Sequence, residues 1–334
     1  MSRQVLAFSL LLGTGLLLSL LSWRGAASGA PAGAIPLAPL SADALTGLVV
    51  EHRGEVTTLT RRSDALGPFL EITRSRPSSA PSPLDEATEL ERFVSVEAGD
   101  RVLEQLLPLQ ALRSLEIDDP ARLAALGLDP ESRGTLSLEG RGGERFTFEL
   151  GGRSHGSARR YLRDPRDGQV YLVDASPLRS LEEAHRYLVE RALFSLRRAE
   201  IDRAELRAGD RALLAVHQGK LRPDGGWWSP PDAPGRRLEI WAAWLGKLQG
   251  LQALATLPAP PEGVTELFSL TVEGEGPPET LRLLEGPPGP EGRPEIYAHS
   301  AHLRAYVSLR ASAAARVIDE LPGVWAEAQG PRGP

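Results

Sequence analysis

Three short spacings in this chain could carry chemistry, and each depends on the element that would have to hold it. Gly152-Arg153-Ser154-His155-Gly156 spells G-x-S-x-G, which lifts a serine above an oxyanion hole when a strand runs into it and a helix leaves it. Here the alternating run RFTFELGG precedes it, but a second strand-like run, RRYLRD, follows. The spacing therefore predicts a hairpin turn, not a nucleophile. His299 and His302 stand three apart, which on a helix would let both reach one metal ion. Their surroundings read as strand, turn and strand, where the rings diverge, and Glu295 is the one carboxylate close by in sequence. Glu182 and His185 repeat the Glu-x-x-His of di-iron bundles, which draw it from two helices; this chain has it once. No catalytic, metal or cofactor residue is assigned from these patterns.

A fourth group is richer. Trp227, Trp228, Trp241 and Trp244 are four of the six tryptophans. Trp contributes mainly through the area it buries, and Trp241 and Trp244 share one helical face, which favours a place in the core for at least one. Exposed, the same rings would form a docking patch for a partner protein or a sugar. Sequence alone leaves both readings open.

At 334 residues the chain can hold two domains of ordinary size. A net charge of −6 argues against the basic stripe that a nucleic-acid binder needs. Zero cysteines remove thiol catalysis, thiolate metal sites, disulfides and an acylated lipoprotein cysteine. From Gln4 to Trp23 the chain is uncharged, between Arg3 and Arg24. A helix of that length rises about 30 Å, the hydrocarbon thickness of a bilayer, whereas the apolar run of a secretory signal spans about 7–15 residues. The segment reads as a membrane anchor, with cleavage after Ala26-Ala27-Ser28 as the alternative. Either way the body is exported, and Arg3 faces the cytoplasm.

The intervening elements follow from periodicity. Residues 25–44 read as a Pro/Gly/Ala tether and 76–87 as a surface loop. EVTTLTR, FLEITRS and ERFVSVEAG alternate with period two, as strands do. Residues 99–117 read as a helix kinked or split at Pro108. Asp119 then caps a short helix opened by Pro120. Gly127 ends it, and Pro130 forbids its resumption. Four strands follow, and residues 177–196 close the unit as one amphipathic helix. The same order recurs, with LLPLQALRSL (106–115) matching LGKLQGLQAL (245–254), TLSLEG (135–140) matching SLTVEG (269–274), and Tyr171 matching Tyr306. The expected fold is α+β, with two tandem, similar modules of antiparallel meander sheet and helices packed on one face. Its divisions are an anchor or signal at 1–24, a tether at 25–44, modules at 45–195 and 196–326, and a disordered tail at 327–334.

Gly127-Leu128-Asp129-Pro130, the strand-ending Gly151, Tyr161 and Arg163 in a Tyr-x-Arg strand, and Tyr171 in a Val-Tyr-Leu-Val strand resemble the hallmark of the domain-of-unknown-function 4340 family. The resemblance covers roughly residues 90–250. It implies one N-terminal membrane helix, an exported body and no established catalytic residue. Some members are similar to gliding-motility and ABC-transporter auxiliary proteins. The functional expectation is a non-enzymatic envelope protein, single-pass in the inner membrane through residues 4–23, with its body in the periplasm or otherwise outside the cytoplasm. It would serve an ABC-type transport or motility system as an auxiliary or scaffold, binding a permease or other envelope proteins through sheet edges and the Trp-rich region. Neither a cofactor nor nucleic acid is expected. The alternative is a periplasmic ligand-binding module for cell-wall glycan or peptide; third is a hydrolase whose site sequence does not reveal.

Overall fold

Period-two burial runs through most of the strands, and it sets where the sheets end and the helices begin. The chain is described from a computed structural model over residues 33–77, 88–220, 225–289 and 292–330. The expected anchor at 4–23, most of the 76–87 loop and the last four residues lie outside the described residues. Among the described residues no helix is long and apolar enough to cross a membrane.

The first half opens with β1 (Ile35–Ala38), β2 (Leu45–His52), β3 (Glu55–Asp64), β4 (Gly67–Pro77) and β5 (Thr88–Ser95). It continues through α1 (Glu97–Leu106), β6 (Leu109–Ala111), β7 (Arg113–Leu115) and α2 (Pro120–Ala125). The meander β8 (Gly134–Gly140), β9 (Arg145–Arg153), β10 (Arg159–Arg163) and β11 (Val170–Asp174) follows, closed by α3 (Ser176–Glu182) and α4 (Ala184–Tyr187). The second half begins β12 (Arg203–Ala208), β13 (Arg211–Gln218), β14 (Trp227–Ser229), α5 (Glu239–Gln249) and β15 (Ala253–Leu257). It ends β16 (Thr265–Glu273), β17 (Glu279–Pro288), β18 (Pro294–Ser300), β19 (Ala305–Leu309) and α6 (Ala311–Gln329).

Antiparallel pairing joins these, among the described residues, into a nine-stranded sheet, β5-β4-β3-β2-β8-β9-β10-β11-β7, an eight-stranded sheet, β14-β13-β12-β16-β17-β18-β19-β15, and a two-stranded sheet, β1-β6. From β4 onward the two longer orders coincide strand for strand, and β5 is an addition to the first. Each of the two larger sheets buries one face under helices. In β8 the alternate residues Leu136 and Leu138 are buried, and α1 brings Val102, Leu103 and Leu106 while α3 brings Leu178 and Leu181 to the same core. The second core collects Trp241, Trp244, Leu245 and Leu248 from α5 with Val317 and Val324 from α6.

The two halves are stitched along the join. Ala253 N–H donates to Arg191 O at 2.9 Å, Ser300 Oγ to Leu193 O at 2.7 Å, and Ser195 N–H to the buried Glu279 carboxylate at 2.9 Å. Farther along, Arg304 forks onto Asp64 at 2.8 and 2.9 Å and lies over the Phe69 ring. That guanidinium holds the Asp64 carboxyl below its ordinary pKa.

Several elements differ from the periodic reading. The expected tether includes β1, which pairs with β6 and buries Leu37 and Ala38; an edge position tolerates its Pro36. The expected helix over 99–117 ends at Leu106, because Pro108 lacks an N–H and restricts the residue before it. Residues beyond Pro108 continue as β6 and β7. Of the matched leucines, Leu106 and Leu245 are both helical and Leu115 and Leu254 lie on the equivalent strands β7 and β15, whereas Leu109 is on β6 and Leu248 in α5. The expected helix over 177–196 is two short helices that stop at Tyr187. The chain after it is tied to the second sheet instead. The last helix runs to Gln329, into the expected tail.

Phe148 is fully buried on β9 in the first core. Phe148→Ala is expected to cost about 3–5 kcal/mol of stability, read as a shift in the denaturant midpoint.

Candidate functional site

The turn at 126–130 backs one wall of a charged concavity. Asp119 accepts from Ala121 N–H at 3.1 Å and starts α2; Gly127, at φ +68°, ends it. Leu126 O then accepts the Gly152 N–H at 2.7 Å. The approach leaves no room for side chains: a Cβ on Gly127 would lie 2.9 Å from Gly152 N, and one on Gly151 would lie 2.7 Å from Leu126 O. Leu128 is buried beneath the turn. Ahead of Pro130, the Asp129 carboxylate accepts the N–H groups of Glu131 and Ser132 at 3.1 Å each. With the Ser132 hydroxyl as the strongest influence, its pKa is lowered. Arg163 reaches Glu149 at 3.3 Å and Gly168 O at 3.2 Å, the Tyr161 side chain lies against Gly151, and Tyr171 is buried. These eight motif residues brace the meander.

On the far side of that brace, Gly151 O accepts Arg160 Nε at 2.8 Å. Arg160 is only 3% exposed and pairs with Glu182, and His52 Nδ1 lies 3.1 Å from the same Glu182 oxygen. Around them a cavity of about 680 Å³ is lined also by Arg53, Glu55, Arg153 and Glu183. Burial pushes the Glu182 pKa up, but the His52 hydrogen bond and the Arg160 charge outweigh it, and the carboxyl stays below its ordinary value. An acid–base catalyst works best with a pKa near the operating pH. Glu182 is instead a fixed anion, saturated by its neighbours. The arrangement suits holding a charged ligand or clamping α3 to the sheet.

A second concavity lies between the sheets. A groove of about 520 Å³ touches Leu90 to Phe93 of β5 and Leu254 to Thr256 of β15, with His185 of α4 and Arg191 of the joining segment. Leu90 is 62% exposed and Leu254 49%.

The structure separates the residues that sequence grouped. Ser154 lies in the β9–β10 turn, its N–H bonded to Arg159 O at 2.9 Å. His299 lies against Tyr306 within the second sheet, the rings tilted by 50°, while His302 is buried in the following turn, where desolvation lowers its pKa. Among the described residues no three metal-ligating side chains converge. Glu182 meets His52, not His185. The Trp-rich docking patch is corrected: Trp228, Trp241 and Trp244 are buried in the second core, and Trp244 Nε1 donates to Val317 O at 2.8 Å. Three large rings at the sheet–helix boundary gain more from burial than exposure allows. Only Trp227 is part-exposed, under the Arg237 guanidinium.

The model of the family described as a domain of unknown function (DUF4340) matches residues 97–268. The chain belongs to the DUF4340 family. The matched stretch runs from α1 into β16 and so spans the join; it holds the 126–130 turn, Arg160 and Glu182, but not His52 or β5. Neither a curated protein nor a solved structure matches this DUF4340 chain.

Removing one partner of a buried ion pair leaves the other uncompensated, at about 3–5 kcal/mol. Arg160→Met is expected to destabilise the protein by that order, read by denaturant titration. Because the folded pKa of Glu182 is depressed, its contribution is present above the ordinary value of 4.5 and is lost as pH falls through the folded pKa. Glu182→Gln should therefore flatten the acid limb of the stability profile; an unchanged limb would show that the pairing contributes nothing.

Proposed function

We propose that this DUF4340 protein is a non-catalytic, membrane-tethered envelope protein, an auxiliary or scaffold component of an ABC-type transport or motility system. Residues 4–23 would hold it in the inner membrane, single-pass, with the body outside the cytoplasm and bound to a permease or other envelope protein. The observation that carries the binding role is the groove, where two strand edges and the exposed Leu90 and Leu254 meet. Exposed apolar side chains at a concavity favour recognition of another protein. The uncharged stretch from Gln4 to Trp23 supports the tether. The shared strand order of the halves supports one module duplicated in tandem.

Extraction in mild detergent, through an affinity tag on the full chain, is expected to recover permease subunits in fixed ratio. Solitary recovery under conditions that keep other envelope complexes intact would count against the reading.

The charged cavity favours a second reading, a periplasmic ligand-binding module for cell-wall glycan or peptide. Its polar lining, with Arg53 and Arg153 at the surface, suits a ligand that carries carboxylates. Titration calorimetry with soluble cell-wall fragments should then show binding that Arg53→Ala with Arg153→Ala weakens by about tenfold. Absence of heat with the parent protein removes this reading.

A further inference from the structure

The groove is more selective than an apolar face. We infer that it takes an extended segment of the partner, acidic and apolar in alternation, inserted as a strand between β5 and β15 so that the two sheets become continuous; this rests on the partner-binding role proposed above.

The argument begins with how the cavity meets the strands. Side chains alternate across a strand, so a space over one face touches every second residue. This groove touches four consecutive residues of β5, Leu90 to Phe93, and three of β15, Leu254 to Thr256. It therefore runs along the backbone edges. β5 and β15 are terminal strands, each of a different sheet. On β15 the pairing with the joining segment stops at Ala253, whose N–H is taken by Arg191 O.

The terminal strand β14 is covered, its Trp228 O accepting Leu238 N–H at 2.8 Å. Open edges normally carry charge, proline or a covering loop, because they recruit other strands. Here they carry Leu90 and Leu254, the two most exposed large apolar side chains among the described residues. Main-chain pairing would supply affinity and the leucines would supply side-chain contacts on alternate positions, the logic of strand addition.

Charge chooses the partner's other positions. Arg92, His185 and Arg191 line the groove. Its one acidic lining residue, Glu91, is drawn 3.2 Å from the buried Arg74. Arg92 keeps a long contact of 3.8 Å with Glu71. The rim is thus net positive and suits aspartate or glutamate on the inserted strand.

The test uses the full chain in detergent and a fluorescein-labelled peptide of about ten residues in which valine and glutamate alternate, a strand that meets the edge and rim requirements. Fluorescence anisotropy is expected to show binding about tenfold tighter than for the valine–lysine peptide. Methylating every second backbone nitrogen removes one row of donors and should weaken binding by about tenfold. Leu90→Ser with Leu254→Ser should do the same while thermal unfolding stays unchanged. No binding, equal binding of the methylated peptide, or undiminished binding to the folded double variant would each overturn the proposal. So would light scattering that shows a dimer dissociated by the double variant, since a second copy would then be the occupant. If permease subunits still co-extract while the peptide fails, the groove proposal falls and the tethered-auxiliary reading stands.

Discussion

A β-ladder satisfies the backbone inside a sheet and leaves a row of unpaired N–H and C=O groups wherever it stops. Two open sheets have four such rows, and most of this architecture concerns their disposal. In each half a strand laid down before the meander crosses under a helix and returns to the meander's far edge: β7 beside β11 and β15 beside β19. That shared path places one edge of each half at a predictable position. Differences between the halves then decide which rows stay open. Residues 230–238 fold back over β14, and the extra strand β5 shifts the first sheet's other edge toward the join.

The buried charges answer a different constraint. Arg160 is buried on β10, so its charge is tolerable only with Gly151 O on one side and Glu182 on the other. Gly151 in turn can present that carbonyl because the chain at Leu126 and Gly127 presses against it without a side chain between. The glycines of the family motif and the charge pair of the cavity are therefore one mechanical unit. Its residues were recognisable from their order while their purpose was not, since packing and capping dictate the residue types and a ligand does not.

What was legible in the sequence follows the range of the forces involved. Local devices read correctly: the Asp119 cap, the left-handed Gly127, and the hairpin at Ser154 each depend on a few neighbouring residues. Strands with period-two burial were visible for the same reason. Leucine-rich stretches misled where a proline or a tertiary edge decided between helix and strand, as at Leu109–Leu115. The cavity left no local trace, because His52, Arg160 and Glu182 come from β2, β10 and α3 and share no spacing. The groove could not be read either: strand edges belong to the sheet order, which is set by pairings far apart in the chain.

The stitching between the halves has a mechanical consequence. Leu188 is packed in the first core while Arg191, Leu193 and Ser195 are bonded into the second sheet. The fork from Arg304 to Asp64 ties the bodies again at a separate point. Two attachments resist twisting in a way that one cannot. A tug on one end is passed to the other as rotation of a stiff lever, where a lone flexible connector would simply go taut like rope.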